Sequence, residues 1–121
     1  MHKTMQRTAL TFAFALAATA AYAHAQLVKA TPAVGATIAS ANEIRLTFSE
    51  GVEPRFSKIA LTAADGAAIA LGAAKAESGD ATVFVAPIVK PLPPGVYTVR
   101  WSAVSTDTHH SHGDFSFTVK P

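Results

Sequence analysis

Cysteine is absent from this chain of 121 residues. Disulfides, thiolate metal sites and cysteine nucleophiles are therefore excluded, and the fold has to rely on packing alone. Methionine is scarce, since both copies, Met1 and Met5, lie near the start of the chain. Acidic residues are missing from residues 1–23, which contain Lys3 and Arg7. The first 23 residues thus differ in composition from the rest.

Those residues have the layout of a secretory signal peptide. A basic start precedes an apolar run over residues 8–20, and Ala21-Tyr22-Ala23 supplies the small residues of a cleavage site. Because the run is shorter than the ~20 residues that span a bilayer, no membrane anchor is expected. We predict a leader at residues 1–23 and one domain at residues 24–121. Ala23-His24-Ala25 offers a rival cleavage site that would leave Gln26 first.

Charge is balanced once this leader is set aside. Lys3 and Arg7 are two of the 10 Lys and Arg, so residues 24–121 carry eight of them against all 8 Asp and Glu. This balance removes the basic footprint expected of a nucleic-acid-binding protein. The sequence also contains no Ser/His/Asp elbow, phosphate loop or nucleotide-binding glycine fingerprint, so hydrolytic and nucleotide chemistry have no support.

From residue 24 onward the dominant period is two, with short apolar alternations separated by Pro, Gly, Asn and Asp, which is typical of strands. The pattern predicts an all-β fold, a seven-stranded antiparallel sandwich or Greek-key barrel. The predicted strands are Gln26–Ala30, Glu43–Phe48, Lys58–Thr62, Ala68–Leu71, Thr82–Ala86, Val96–Val104 and a final run with Phe115, Phe117 and Val119. Alanine-rich residues 63–75 could equally form a helical turn. Tyr97 and Trp101 are expected in the core.

Histidine is placed unevenly along the chain. His24 becomes the first residue after cleavage at the preferred site, and His109, His110 and His112 crowd one short segment beside Asp107. An N-terminal histidine offers its α-amine and its imidazole Nδ1, which can close a six-membered chelate ring around a cation. An α-amine has a pKa of about 7.7–8.0, so it is readily deprotonated near neutral pH.

A third nitrogen from another imidazole would complete a T-shaped donor set, and tetragonal nitrogen and oxygen coordination suits Cu(II). Asp107 and His109 are two residues apart, so in extended backbone their side chains project to the same face. Other interpretations remain open at this point. The histidine segment can be a solvated turn, Asp107 a turn former that accepts backbone N–H bonds, and Glu50 a solvent-facing acid.

Several segments together resemble the CopC family of periplasmic copper-binding proteins, in the same order along essentially the whole chain after the leader. They are His24-Ala25, Thr31-Pro32-Ala33 with Gly35, Leu46-Thr47-Phe48-Ser49-Glu50, Phe56-Ser57, residues 92–97, Arg100-Trp101, and Val104-Ser105-Thr106-Asp107-Thr108-His109 followed by Gly113.

The resemblance implies a cupredoxin-like or immunoglobulin-like Greek-key sandwich. It also implies a Cu(II) site formed by the amine and imidazole of His24 with Asp107 and His109, and with Glu50 close by. Some members of the family carry a methionine-rich stretch that binds Cu(I). No methionine follows residue 5 here, so the chain resembles the Cu(II)-only branch. His110 and His112 depart from the family pattern, and their role is left open.

The resemblance suggests a non-enzymatic periplasmic protein that sequesters Cu(II), in copper homeostasis or resistance, or delivers it. A CopD-type inner-membrane copper protein or a CopA-type multicopper oxidase is then the expected partner. One alternative is a small copper-dependent oxidase or monooxygenase, since lytic polysaccharide monooxygenases also use an N-terminal histidine brace. Such domains are generally larger, and a carboxylate beside the copper would block a position that oxygen needs. A second alternative is an immunoglobulin-like structural module with incidental histidines.

Overall fold

The computed structural model describes residues 24–121, and the predicted leader lies outside the described residues. Two β-sheets face each other across one core. In chain order the strands of the described part are β1 (Leu27–Thr31), β2 (Thr37–Ile38), β3 (Glu43–Phe48), β4 (Lys58–Ala63), β5 (Ala68–Ile69), β6 (Lys75–Glu77), β7 (Asp80–Pro87), β8 (Gly95–Val104) and β9 (His110–Val119). A 3-10 turn covers Pro54–Phe56.

One sheet has the strand order β1-β3-β7-β6, and the other has the order β2-β9-β8-β4-β5. The chain passes from one sheet to the other after β1, β2, β3, β5 and β7. Isolated bridges join Val52 to Ser105 and Leu71 to Ile88 at the margins of the sheets. The architecture is an all-β two-sheet sandwich, as predicted.

The core forms where the apolar sides of the alternating strands meet. Ile44, Leu46 and Phe48 on β3 are buried, while the residues between them are only half-buried. Tyr97 and Trp101 are buried on β8, which confirms their predicted place in the core. Each large apolar side chain buried in this way contributes about 1.5–3 kcal/mol relative to exposure. Phe115, Phe117 and Val119 on β9 complete the predicted inward faces.

Two details of the sequence prediction are wrong. The described residues contain nine strands instead of seven, because Thr37–Ile38 and Lys75–Glu77 also pair. These strands have two and three residues, too few to show a period of two. The sheet that contains β2 and β9 is also not purely antiparallel, since β2 runs parallel to β9. The alanine-rich stretch turns at residues 64–66 and continues into β5, with no helix.

Candidate metal centre

A tight loop joins β8 to β9, the longest pair of neighbouring strands in the described chain. The N–H of Thr108 donates to the carbonyl of Ser105 at 2.8 Å, and the N–H of Ser105 donates to the carbonyl of His109 at 2.9 Å. Thr108 has a φ of 72°, in the left-handed region. These features match a type I turn followed by a left-handed residue, a common three-residue hairpin loop.

Thr108 is unusual at that position because it is β-branched, and glycine is the residue that adopts positive φ without cost. Its hydroxyl donates to the carbonyl of Asp107 at 2.6 Å. The loop therefore carries local backbone strain beside two of the predicted ligands. Strain of this kind persists where the surrounding structure fixes the backbone, here the hydrogen bonds of Ser105.

Ser105 organises the two predicted ligands of the loop. Its side chain is fully buried, with 0% exposure. The Ser105 hydroxyl donates to the Asp107 carboxylate and accepts the N–H of His109 at 3.2 Å. Nδ1 of His109 lies 3.2 Å from Oδ1 of Asp107. The side chains of Asp107 and His109 therefore meet, but the predicted reason is wrong, because a turn with a left-handed Thr108 brings them together and not an extended backbone.

The electrostatics of Asp107 follow from these contacts. The hydrogen bond from the Ser105 hydroxyl is the main cause that holds the pKa of Asp107 below its ordinary value, and His109 adds to the lowering. Desolvation opposes both. Asp107 is thus held as a carboxylate, which is the form that binds a cation.

His24 reaches this loop from the other end of the described chain. Ala25 is buried, and its carbonyl accepts the hydroxyl of Ser111 at 2.7 Å. Nδ1 of His24 lies 2.9 Å from the carbonyl of His110. The rings of His24 and His109 meet edge to face, with centroids 5.4 Å apart and planes at 87°. Two imidazoles and a carboxylate therefore lie together at one end of the sandwich.

The segment that carries Glu50 contacts the loop. Glu50 follows β3, and the carbonyl of its neighbour Gly51 accepts the N–H of Thr106 at 3.0 Å. Within residues 24–121 no hydrogen bond or ion pair links Glu50 to His24, Asp107 or His109. The structure therefore places Glu50 beside the loop but does not join it to the other three predicted residues.

The side chains of the three predicted ligands that lie together make contacts of their own in the fold. In residues 24–121 no three His, Asp or Glu side chains already stand in a geometry that could hold a metal ion. The cause is local, because Nδ1 of His24 faces the His110 carbonyl, and the Asp107 carboxylate is turned to Ser105 and His109. Binding an ion at these three residues therefore requires His24 and Asp107 to leave these partners.

Sequence reasoning missed the two serines that hold the site. Ser105 orients Asp107 and the loop backbone, and Ser111 fastens the segment that carries His24. Neither serine could be identified from periodicity, since a small polar residue in a loop or strand is usually exposed. His110 and His112, whose role the sequence left open, both have exposed side chains on β9.

Comparisons of the sequence with a family model and with a known protein point to the same family. A family model described as the CopC domain matches residues 27–120. Copper resistance protein C of Pseudomonas syringae pv. tomato is 39% identical over 124 residues, covering 96% of this chain and 98% of that protein.

Two solved structures share the fold. CopC from Methylosinus trichosporium OB3b has a TM-score of 0.76 at 30% identity, covering 81% of this chain and 95% of that one. PcoC from Escherichia coli, described as a methionine-rich copper resistance protein, has a TM-score of 0.73 at 34% identity, covering 81% and 100%. Among the described residues, no helix has the length and apolar character needed to cross a membrane.

Proposed function

Because the chain belongs to the CopC family of copper-binding proteins and is a homologue of copper resistance protein C, we propose that it binds Cu(II) in the periplasm. The ligands are His24, Asp107 and His109, with Glu50 as an outer carboxylate. The protein sequesters copper or hands it to a partner, and it is not an enzyme. The observation that carries this proposal is the contact between the His24 and His109 rings beside Asp107.

The separation of the rings suits one shared ion. A metal ion about 2 Å from an imidazole nitrogen lies about 3 Å from the ring centroid, so two rings on one ion have centroids at most about 6 Å apart. The observed 5.4 Å falls within this limit. Nδ1 of His24 has to leave the His110 carbonyl to become a ligand.

Export completes the donor set. Residue 24 follows Ala23 in the full chain, so its backbone nitrogen is then an amide. Cleavage after Ala23 converts this nitrogen into an amine, which can ligate together with Nδ1 of the same residue. The proposal therefore couples strong binding to removal of residues 1–23.

The donor types favour Cu(II) over Cu(I). Cu(I) prefers thiolates and thioethers, whereas imidazole, amine and carboxylate groups suit Cu(II). This chain has no cysteine, and its 2 methionines, Met1 and Met5, lie within the predicted leader. PcoC is described as methionine-rich, so the two proteins differ in the donors that Cu(I) needs.

Exposure of the site supports transfer to a partner. The side chains of Asp107 and His109 are 50% and 47% exposed, so a ligand from another protein can approach an ion held there. A CopD-type inner-membrane protein or a CopA-type multicopper oxidase is the partner class we propose. Residues 24–121 carry no net formal charge, so overall charge does not attract a partner. Contact with a partner therefore depends on groups near the loop.

The test is Cu(II) titration of the exported protein and of single variants. We expect one tightly bound Cu(II) per chain. Loss of a hydrogen-bond partner of a metal ligand typically lowers affinity roughly 10–100-fold. His24→Ala and His109→Ala remove ligands themselves, so each should lower the affinity by more than this. His112→Ala is the matched control and leaves the tight equivalent in place. Binding weakens as the pH falls, because protons compete with the metal ion for the nitrogen ligands. Equal losses from His109→Ala and His112→Ala would show that the wrong imidazole has been assigned.

A further inference from the structure

The outer face of β9 carries two histidines that the proposed centre does not use. Along this strand Ser111 turns toward the N-terminal segment, where its hydroxyl donates to the Ala25 carbonyl. Phe115, four residues later, is buried in the core. Alternation along a strand therefore places His110 and His112 together on the opposite face, and both are exposed.

We propose that His110 and His112 form a second, open site for a divalent transition-metal ion, separate from the centre at His24, Asp107 and His109. The juxtaposition that carries this proposal is a pair of exposed imidazoles at positions i and i+2 of one strand. The site would take an aqueous ion such as Cu(II) and leave its remaining positions to water.

The strand fixes the spacing of the pair. Antiparallel strands rise about 3.4 Å per residue, so the two Cα atoms stand about 7 Å apart with side chains on one face. Imidazole nitrogens bind metals at about 2 Å, and two side chains at this spacing can reach one ion between them.

The backbone of both residues is already ordered. His110 pairs with Val104, and His112 pairs with Ser102, within the ten-residue ladder between β8 and β9. Within the described part of the chain neither imidazole takes part in a hydrogen bond or an ion pair. Binding therefore orders only two side chains and breaks no contact of the fold.

The neighbouring groups define the strength and selectivity of this site. Asp114 is the next residue on the same face, and its cross-strand partner is Arg100, whose positive charge opposes a cation there. The second site consequently offers two nitrogen ligands from the protein. The first centre is proposed to offer three nitrogens and one carboxylate. We infer weaker binding, strongest for Cu(II) among divalent first-row ions.

The two sites are adjacent but do not share side chains. Nδ1 of His24 faces the backbone carbonyl of His110, not its ring. An ion held at the histidine pair would lie at the start of β9, next to the loop that carries His109. The pair can therefore hold aqueous copper beside the tighter centre.

The experiment is equilibrium dialysis of the exported protein against buffered Cu(II), which counts bound ions per chain at each free concentration. We expect one tight and one weaker equivalent. His110→Ala and His112→Ala each lose the weaker equivalent and keep the tight one. His24→Ala loses the tight equivalent and keeps the weaker one, so failure of the proposed function and failure of this inference give different results.

A matched control tests spacing at a constant number of histidines. The double variant His112→Ala with Asp114→His keeps two imidazoles on the outer face but separates them by about 14 Å. It should not recover the weaker equivalent. The inference is overturned if this control binds like the parent, or if His110→Ala and His112→Ala retain both equivalents. Circular dichroism confirms that each variant is folded before its bound copper is counted.

Discussion

Replacement of Ser105 by alanine removes the group that holds the loop in place. The hydroxyl is fully buried, donates to Asp107 and accepts the N–H of His109 at 3.2 Å. The bond to the His109 backbone is neutral, and such a bond contributes about 1 kcal/mol to the free energy of unfolding. We therefore expect Ser105→Ala to lower that free energy by at least about 1 kcal/mol.

The same substitution acts on copper through Asp107. Loss of an outer hydrogen bond that orients a metal ligand typically reduces affinity about 10–100-fold. Ser102→Ala is a suitable control, since Ser102 is an exposed serine on β8 in the same hairpin. Denaturant unfolding measures stability, and competitive Cu(II) titration of the two exported variants measures affinity.

The pH dependence adds an independent readout. The pKa of Asp107 is lowered in the fold, chiefly by the Ser105 hydroxyl, so ionised Asp107 stabilises the native state above its unfolded pKa. This contribution is lost as pH falls below about 4 toward the depressed value. Ser105→Ala should move the pKa of Asp107 upward, as followed by carboxyl carbon NMR. An unchanged pKa together with parent-like copper affinity would refute the role assigned to Ser105.

Three further predictions concern the loop, the strand beside it and the oxidation state of copper. Thr108→Gly removes the cost of a β-branched residue at a φ of 72° and should raise the free energy of unfolding by about 1 kcal/mol, measured with denaturant; a decrease would contradict the assigned strain. Gly113→Ala places a Cβ 2.7 Å from the Trp101 ring and should destabilise the fold by about 1–3 kcal/mol and alter the near-ultraviolet circular dichroism of Trp101; parent-like values of both would show that the ring moves freely. Titration with Cu(I) against a competing chelator should show markedly weaker binding than Cu(II) and no independent second Cu(I) site, and tight Cu(I) retention alongside bound Cu(II) would overturn the preference for Cu(II).

The strands that could be predicted from the sequence were those long enough to show an alternation of apolar and polar residues. Ile44, Leu46 and Phe48 repeat at every second residue, and all three are buried. Thr37–Ile38 is too short to alternate and pairs in parallel with β9, a contact that depends on distant residues. Short edge strands of this kind are defined by the sheet they join, so local pattern does not reveal them.

The candidate site, too, could be predicted only in part from local sequence. Asp107 and His109 meet, as expected, but through the turn at residues 105–108 and not through the extended backbone that the two-residue spacing assumed. The approach of His24 to His109 depends on the pairing of β1 with β3 and on the hydrogen bond from Ser111, which local spacing does not encode. The resemblance to the family supplied that long-range contact before the structure did. The role of Ser105 required the structure, because its burial has no signature in the sequence.

Pulsed EPR of the exported protein loaded with less than one equivalent of Cu(II) tests the central proposal most directly, because it detects the nitrogen nuclei bound to copper. With ¹⁵N-labelled histidine, we predict couplings from the imidazoles of His24 and His109. His24→Ala and His109→Ala should each remove one of these couplings, and His112→Ala should remove none. A spectrum that both of the first two substitutions leave unchanged would contradict the proposed centre.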